Sequence, residues 1–420
     1  MQRHEIRSLA DLAGEGTRVL TALVRDMHSG IAGRVFDSIG PASKPVQVIH
    51  DAIAAITYHS VDHALRGSLH GAGAVAAEVC SNDDDVTIQA HPAAGGAIAA
   101  VNGIYGDQLS NRRNGFALSM QIHRHRRPVA LTADSIAKAF PAATGRIVIF
   151  VHGWCLTELS WWRRPRTGDP LPYGTRLRAD LGFTPVYLRY NTGLHISQNG
   201  QALADLLNQL HALWPTVAEE PLTEIVLVGH SMGGLVARSA CHYGLQHQQP
   251  WTGDVRHVVC LGSPHLGADL EKGVNVASWA LAQLPETRGL ASFLNARSAG
   301  VKDLRFGALL DEDWRDCDPD EFLLDRCNEV PFLPDAVYHF VAASAAPRAV
   351  GLLVGDSLVR PRSAAGRGRS RQVPFKSAHG LTLTGLHHFD LLNHPTIYDK
   401  LVEWLGESPA MPQPGVGESG

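Results

Sequence analysis

The spacing of hydrophobic residues divides the chain into a helical first part and a later part in which strands and helices alternate. In residues 1 to about 80, apolar residues recur every three or four positions, which predicts amphipathic helices. They are Leu20, Leu23, Val24, Met27 and Ile31 in one stretch and Ile49, Ile53, Ile56 and Leu65 in the next. We expect both stripes to pack on the rest of the protein, because neither polar face is enriched in Lys and Arg as in a membrane-binding helix.

From about residue 116, short apolar runs alternate with amphipathic stretches, as in a parallel sheet covered by helices. Buried strands are predicted at residues 147–151, 186–188, 225–228, 258–261 and 337–341. Apolar residues at helical spacing predict a helix from Ile196 to Leu213 that Pro215 ends, and Pro395 marks the start of a closing helix. A polar turn at Asp83-Asp84-Asp85 lies between the two parts.

Composition indicates a large, packed protein that does not bind nucleic acid. The 420 residues are 45% hydrophobic and 19% charged, which is far from the composition of a disordered chain. A net charge of −4 provides no basic field for nucleic acid. The six cysteines are scattered without a C-x-x-C pair, which predicts reduced thiols. Since no segment is apolar enough for a secretory signal or a membrane span, we expect a soluble cytoplasmic protein, with peripheral membrane contact left open.

The strongest chemical signal is a G-x-S-x-G motif that follows the predicted strand ending at Val228 and precedes a stretch compatible with a helix. The motif is Gly229-His230-Ser231-Met232-Gly233, and a further glycine, Gly234, follows it. In this context the serine lies on a sharp strand-to-helix turn, where flanking glycines let neighbouring segments approach. The helix that follows directs N–H groups at the place where an oxyanion forms. Ser231 is therefore the predicted nucleophile.

A second candidate element is the pair His152-Gly153, directly after the predicted strand at 147–151. Enzymes with such an elbow donate a second oxyanion hydrogen bond from the loop after this strand. We expect the oxyanion hole to consist of the backbone N–H groups of Met232 and Trp154, with Cys155 as the alternative second donor. For His152 we favour a structural role in its loop.

The catalytic base is expected to be a histidine beyond the final strand, where residues 382–394 contain three candidates. His388 is preferred because it lies in the loop before the closing helix, within reach of Ser231. His387 is the second choice, and His394 is better placed as a residue at the helix start. Position decides here, because most of the 22 histidines of the chain must be structural.

The acid is expected between the strand at 337–341 and the histidine. Asp356, in a glycine-containing loop, gives the chain order serine, aspartate, histidine that accompanies this elbow. Its carboxylate would accept a hydrogen bond from the Nδ1–H of the histidine and stabilise the imidazolium. Asp390 is the alternative, although it lies close in sequence to His388.

At these residues the sequence resembles the bacterial lipase and esterase branch of the α/β-hydrolases. Within that branch it resembles the group that is similar to the alpha/beta domain of glycosylphosphatidylinositol inositol-deacylases. The matching segments are residues 151–153, 229–234, 261–268 and 388–392. The segment Gly262-Ser263-Pro264-His265 is typical of lipase-like members, so the resemblance implies ester chemistry over peptidase, dehalogenase or epoxide hydrolase chemistry. The α/β-hydrolase fold that it implies has a mostly parallel central sheet flanked by helices.

The predicted organisation has three parts. Residues 1–115 form a mainly helical N-terminal extension, residues 116–407 the α/β-hydrolase domain, and residues 408–420 a flexible tail. A cap insertion is expected at about 268–335. Its apolar residues are compatible with two alternatives: helices that cover the site and bind an acyl chain, and a cap that is fixed and purely structural. They are Trp279, Leu281, Leu284, Leu290, Phe293 and Leu294.

The sequence therefore predicts a serine ester hydrolase, similar to lipases and carboxylesterases, that acts through an acyl-enzyme on a small-molecule or lipid ester. No cofactor or metal is expected. Two other hypotheses remain: a catalytically silent lipid-binding or scaffold protein of the same fold, and an acyltransferase. A full set of serine, aspartate and histidine favours an enzyme, because binding alone requires no serine at an elbow.

Overall fold

The computed structural model describes residues 2–40, 43–79, 88–218, 220–283, 287–321, 325–345, 356, 358–368 and 371–406. The predicted polar turn at Asp83-Asp84-Asp85 and the predicted flexible tail lie outside the described residues. Within them, none of the helices combines the length and apolar character needed to cross a bilayer.

One sheet of eight strands forms the centre of the described part of the chain. The strands are β1 (Gln121–Arg124), β2 (Arg127–Val129), β3 (Arg146–Val151), β4 (Thr184–Arg189), β5 (Glu224–His230), β6 (Val255–Leu261), β7 (Val337–Ser344) and β8 (Gly380–Thr384). Their spatial order is β2-β1-β4-β3-β5-β6-β7-β8. Neighbouring strands from β4 through β8 are parallel, whereas β1 pairs antiparallel with both β2 and β4.

Helices precede the sheet and connect its strands. They are α1 (Arg3–Ile39), α2 (Lys44–Val79), α3 (Pro92–Asn111), α4 (Ala133–Ala139), α5 (Tyr173–Leu181), α6 (Ile196–Leu213), α7 (Met232–Gln246), α8 (Asp269–Ala282), α9 (Arg288–Asn295), α10 (Ala299–Asp303), α11 (Pro361–Ala364) and α12 (Pro395–Gly406).

The sheet is buried on both faces. In β3, Ile147 and Ile149 belong to one apolar cluster, and Val148 and Phe150 belong to the other, because successive side chains of a strand point to opposite faces. Helices α6 and α7 cover the first face, and α5 and α12 cover the second. This parallel sheet between two helical layers confirms the predicted fold class.

All five predicted strands are present, each longer than predicted by one to three residues. The predicted helix from Ile196 to Leu213 and the closing helix starting at Pro395 are present as well. The antiparallel pair β1 and β2 was not predicted, because its polar residues, such as His123 and Arg127, do not form an apolar run.

The N-terminal part is helical, as predicted, but the expected packing of its apolar stripe is wrong. Leu20, Val24, Met27 and Ile31 are all exposed. Helices α1 and α2 form a hairpin whose contact surface is occupied by small and polar residues, among them Gly14 and His28. These four apolar side chains are therefore exposed to solvent rather than enclosed between α1 and α2.

Helix α3 follows this hairpin and packs against the part of the chain that forms the sheet. Gly106 of α3 lies so close to Asn191 that an added Cβ would overlap the Asn191 side chain. The Asn191 Nδ2–H donates to the Gly106 carbonyl at 2.8 Å. Helix α3 thus packs directly against the loop that follows β4.

Candidate active site

Ser231 lies at a sharp turn between β5 and α7. Its φ of 54° and ψ of −123° are unusual for a residue with a side chain, and such strain persists only where the surroundings enforce it. The Ser231 N–H donates to the Leu261 carbonyl at the end of β6, at 2.8 Å. The turn is thereby held against the neighbouring strand, and the Ser231 side chain is partly exposed in a cavity.

The glycines of the motif are required by close packing. A Cβ added to Gly233 would overlap the carbonyl oxygen of Val151 at the end of β3, and one added to Gly234 would overlap the Ser263 hydroxyl. A Cβ on Gly229 would collide with the backbone of Gly233 and Gly234. These contacts explain why three positions around the serine lack side chains.

His388 and Asp356 form a buried pair. The Nδ1–H of His388 donates to Asp356 Oδ2 at 2.6 Å, and the two residues are 3% and 1% exposed. The other carboxylate oxygen accepts the N–H groups of Leu358 and Val359 at 3.0 and 2.8 Å. The His388 N–H also donates to the Asp356 carbonyl, at 3.1 Å. Backbone and side chain together hold the carboxylate beneath the imidazole.

The alternative candidates lie in other contacts. Asp390 Oδ2 accepts the N–H of His387 at 2.9 Å and stabilises the start of a short 3₁₀ helix. His394 directly precedes α12, and its N–H donates to the Tyr173 hydroxyl at 2.7 Å. The structure thus brings Asp356 to His388 and leaves Asp390 at the backbone of His387.

Ser231 and His388 line the same cavity. The imidazole packs on Gly262, which has a φ of +63°; a Cβ there would lie 3.2 Å from His388 Cε1. His388 Nε2 is buried and has no hydrogen-bond partner among the described residues. The hydroxyl and the imidazole are therefore not hydrogen bonded in this structure.

His230, the residue before the serine, is a member of the site that the sequence analysis did not identify. Its Nε2–H donates to the carbonyl of His388 at 3.1 Å, and the two rings lie 4.7 Å apart. Burial holds the pKa of the His230 imidazole well below its usual value, so the ring is neutral. The only available signal was its position within the motif.

The loop after β3 turns back towards Ser231. A Cβ added to Gly153 would lie 3.1 Å from the Ser231 Cβ, so the backbone of this loop lies against Ser231. The Leu156 N–H donates to the Gly153 carbonyl, and Cys155 has a φ of +59°. The Cys155 N–H donates to Thr192 Oγ1 at 3.2 Å.

His152 stabilises the start of this loop. Its Nδ1–H donates to the Gly153 carbonyl at 2.9 Å, and its own carbonyl accepts the Tyr190 hydroxyl at 2.7 Å. Burial lowers the pKa of His152 to about 3. These contacts fit the structural role that the sequence favours.

One backbone carbonyl group of α3 accepts hydrogen bonds from residues next to the site. The oxygen of Gly103 accepts the indole N–H of Trp154 at 2.8 Å and the hydroxyl of Ser298 at 2.6 Å. A Cβ at Gly103 would overlap Cys155 Sγ, so this position also requires glycine. The backbone of α3 kinks two residues later, at Tyr105. One peptide of the N-terminal part therefore joins the loop after β3 to the cap.

A cavity of about 510 Å³ opens above Ser231. Its walls come from the turn at Ser231, the loop after β3, the cap and α3, and most of their side chains are apolar. The residues are Ile104, Gly153, Trp154, Cys155, Leu156, His230, Ser231, Pro264, Ala268, Glu271, Val274, Arg297, Val301, Leu304, Leu358, Val359, His388 and Phe389. An acyl chain is a chemically suitable occupant.

The cap contributes to this cavity with residues other than those predicted. Trp279 is 49% exposed and Leu290 is exposed as well, so neither side chain is enclosed in the cavity. Val274 and Val301 line it instead. Leu284 lies outside the described residues, as does the side chain of Phe293.

Two charged cap residues line the cavity as a bonded pair. Arg297 donates from Nε and Nη2 to Glu271 at 2.8 and 2.6 Å. Arg305 also donates to the same carboxylate, at 3.0 Å. Because both Glu271 oxygens are engaged by guanidinium groups, the pair crosslinks α8 to the segment after α9 and adds little polarity to the cavity.

Sheet topology and the strand–serine–helix turn define the chain as a protein of the α/β-hydrolase fold. Residues 142–279 match the family model described as the PGAP1-like alpha/beta domain. This match covers β3 through most of α8 and confirms the predicted resemblance to that domain. No curated protein matches the chain.

The chain is similar to several solved structures, all at low sequence identity. Bacillus licheniformis lipase BlEst2 in its mature form is 17% identical, with a TM-score of 0.40, over 62% of this chain and 91% of that protein. EstA from Clostridium botulinum is 12% identical, with a TM-score of 0.37, over 64% and 89%. The Pyrobaculum calidifontis esterase is 14% identical, with a TM-score of 0.34, over 63% and 77%.

Proposed function

We propose that the protein hydrolyses carboxylic esters with Ser231 as nucleophile, His388 as general base and Asp356 as the acid that orients the histidine. The observation that carries this proposal is a strained serine at an elbow in the same cavity as a buried histidine–aspartate pair. A serine in such a conformation has no use in a binding protein, which argues against the catalytically silent alternative.

In the first half-reaction, Ser231 Oγ attacks the ester carbonyl while its proton passes to His388 Nε2. The carbonyl π electrons move onto oxygen, and the C–O bond to the alcohol breaks as the imidazolium returns the proton to the leaving group. Asp356 accepts the Nδ1–H throughout and stabilises the positive charge. In the second half-reaction, water attacks the acyl-enzyme in the same manner and releases the acid.

The oxyanion of each tetrahedral intermediate is stabilised by the N–H groups of Met232 and Trp154. Met232 is the first residue of α7, where N–H groups lack intrahelical partners and the helix dipole favours negative charge. Trp154 is preferred over Cys155, because the Cys155 N–H already donates to Thr192. Contact between Gly153 and Ser231 keeps the Trp154 peptide near the nucleophile.

The substrate class follows from the cavity. A volume of about 510 Å³ lies within the usual range of roughly 300–1,000 Å³ for small-molecule sites, and apolar walls suit the acyl part of an ester. A small-molecule or lipid ester with a flexible acyl chain is therefore the proposed substrate.

The test is hydrolysis of p-nitrophenyl esters from acetate to palmitate by the native chain and by Ser231→Ala. We expect activity in the native chain and a loss of at least about a thousandfold in Ser231→Ala. Ser110→Ala, an exposed serine on α3, is the matched control and should retain activity.

Labelling with a fluorophosphonate, followed by peptide mass spectrometry, tests the nucleophile without knowledge of the substrate. An adduct on Ser231 is expected, and its absence together with no ester hydrolysis would contradict the proposal.

A further inference from the structure

The α1–α2 hairpin exposes an apolar stripe along nearly the whole of α1. Its members are Leu9, Leu20, Val24, Met27, Ile31 and Val35. Leu20 is 60% exposed and Ile31 is 52% exposed. Residues three, four, seven and eleven positions apart lie on one side of a helix, so these side chains form one continuous face. An exposed apolar face of this length indicates an apolar partner.

The contact between α1 and α2 holds small, polar and aromatic groups, where a stable pair of helices in water would bury large aliphatic side chains. The ring of His28 lies 5.0 Å from that of His50 and 5.8 Å from that of Tyr58. Near the other end, a Cβ added to Gly73 would overlap the Ala10 side chain. The hairpin thus holds small, polar and aromatic groups between its helices and leaves six large apolar side chains of α1 exposed, which is the arrangement of a helix pair in contact with an apolar medium.

Helix α2 exposes apolar residues on opposite sides of its first turns. Val46 is 60% exposed and Val48 is 68% exposed, and residues two positions apart point about 200° apart on a helix. A single protein face cannot cover both of them. Acyl chains can surround the hairpin tip, so a lipid surface fits this distribution better than a second copy of the chain.

Charges on the hairpin indicate which lipid surface is suitable. Two basic residues near the tip of the hairpin are paired with acidic neighbours: Arg25 with Asp26 at 2.9 Å, and Lys44 with Asp37 at 3.0 Å. A helix that binds anionic membranes carries a face of unpaired Lys and Arg. Paired charges favour a zwitterionic or uncharged lipid surface and predict binding that does not depend on salt.

Further exposed apolar residues lie at the cavity above Ser231 and on the cap. Ile104 and Phe389 line the cavity and are exposed at the same time. On the cap, Trp279 of α8 and Leu290 of α9 are exposed as well, and α9 packs against both α8 and α1. The contacts of α9 with α1 and α8 therefore link the hairpin to the cap, whose residues line the cavity.

We propose that the α1–α2 hairpin adsorbs the protein onto a zwitterionic or uncharged lipid surface through this apolar face. Adsorption itself is independent of the chemistry at Ser231. Uptake of an ester from that surface through the adjacent cavity mouth rests on the proposed ester hydrolysis.

The test is flotation of the full chain with phosphatidylcholine vesicles at 50 mM and 500 mM salt. We expect the native chain to float equally at both salt concentrations. Ile31→Glu places a charge in the apolar face and should weaken binding by about tenfold or more, since a buried isoleucine side chain contributes about that factor. Ser29→Glu, two residues away on the opposite, exposed side of α1, adds the same charge and should bind like the native chain.

Several outcomes would overturn the inference: a native chain that does not float, flotation abolished at 500 mM salt, or equal flotation of Ile31→Glu and Ser29→Glu. Light scattering that finds a dimer converted to a monomer by Ile31→Glu, without flotation, would assign the face to a second copy of the chain.

Activity on soluble p-nitrophenyl butyrate separates this inference from the proposed function. Ile31→Glu should retain that activity, whereas Ser231→Ala should lose it and still float. Flotation without any hydrolysis would refute only the proposed function, and hydrolysis without flotation would refute only the proposed adsorption.

Discussion

At the scale of single residues, the pairing of Asp356 with His388 makes the proposed acid testable against its rival. Asp356→Asn keeps an oxygen for the N–H groups of Leu358 and Val359 but presents an amide to the imidazole, which favours the wrong tautomer. We expect kcat for a p-nitrophenyl ester to fall by about a thousandfold or more. Asp390→Asn is the matched control and should stay within about threefold of native; the reverse pattern would make Asp390 the acid.

His230 offers a second prediction at this scale, because it acts on the site through the backbone of His388. Removal of that hydrogen bond in His230→Ala should lower kcat by about fivefold and leave KM nearly unchanged, since the loss of one hydrogen bond corresponds to about 1 kcal/mol. His230→Gln retains an N–H donor near the same place and should recover most of the loss. Equal losses in both variants would indicate a role in packing alone.

The candidate residues that could be predicted are those whose positions are constrained by the G-x-S-x-G motif or by the order of residues along the chain. Ser231 follows from its glycines, and the pairing of Asp356 with His388 follows from the order of strands and loops along the chain. His230 escaped prediction because the motif places no chemical requirement on that position. Its role depends on the path of the chain near His388, 158 residues later.

At the scale of elements, Gly103 of α3 tests whether the N-terminal part supports the site. Gly103→Ala would drive a methyl group into Cys155 Sγ, displacing the loop that carries Trp154. We expect a lower unfolding temperature and a fall of about tenfold or more in kcat. Gly96→Ala on the same helix has nothing within 4 Å of the added carbon and should be neutral or stabilising by about 0.5–1 kcal/mol. Equal kcat values in the two variants would contradict this support.

Elements with a regular apolar pattern were predictable, and contacts between elements were not. The run of buried residues in β3 and the leucines of α6 encode their secondary structure locally. The outward direction of the α1 stripe depends instead on which face of α1 meets α2. The spacing of apolar residues predicts that a helix has an apolar face, but it does not identify the residues that contact this face.

At the scale of the whole molecule, buried histidines predict a loss of stability in acid. Burial lowers the pKa of His257 to about 4, that of His339 to about 2 and that of His123 to about 3. In the unfolded chain each would titrate near 6.5, so the unfolded state binds more protons below that pH. Stability should be full above about pH 6.5 and fall as the pH drops towards these folded-state values, by up to about 1.4 kcal/mol per pH unit and histidine.

Thermal unfolding between pH 7.5 and 5 measures this effect. His339→Phe removes one buried titrating group and should flatten the slope, whereas His247→Gln, at an exposed position, should leave it unchanged. A native chain whose unfolding temperature is constant over this range would show that these histidines do not remain neutral in the folded protein.

The bond from Ser298 to the Gly103 carbonyl joins residues 195 positions apart and has a consequence for biosynthesis. A ribosome that adds about 5–20 residues per second completes α3 roughly 10–40 s before Ser298 is made. During that interval the glycine face of α3 and the apolar hairpin before it have emerged without their later contacts. The newly made chain therefore exposes the apolar hairpin and the glycine face of α3 first. Its need for chaperones should be greatest before the cap has been translated.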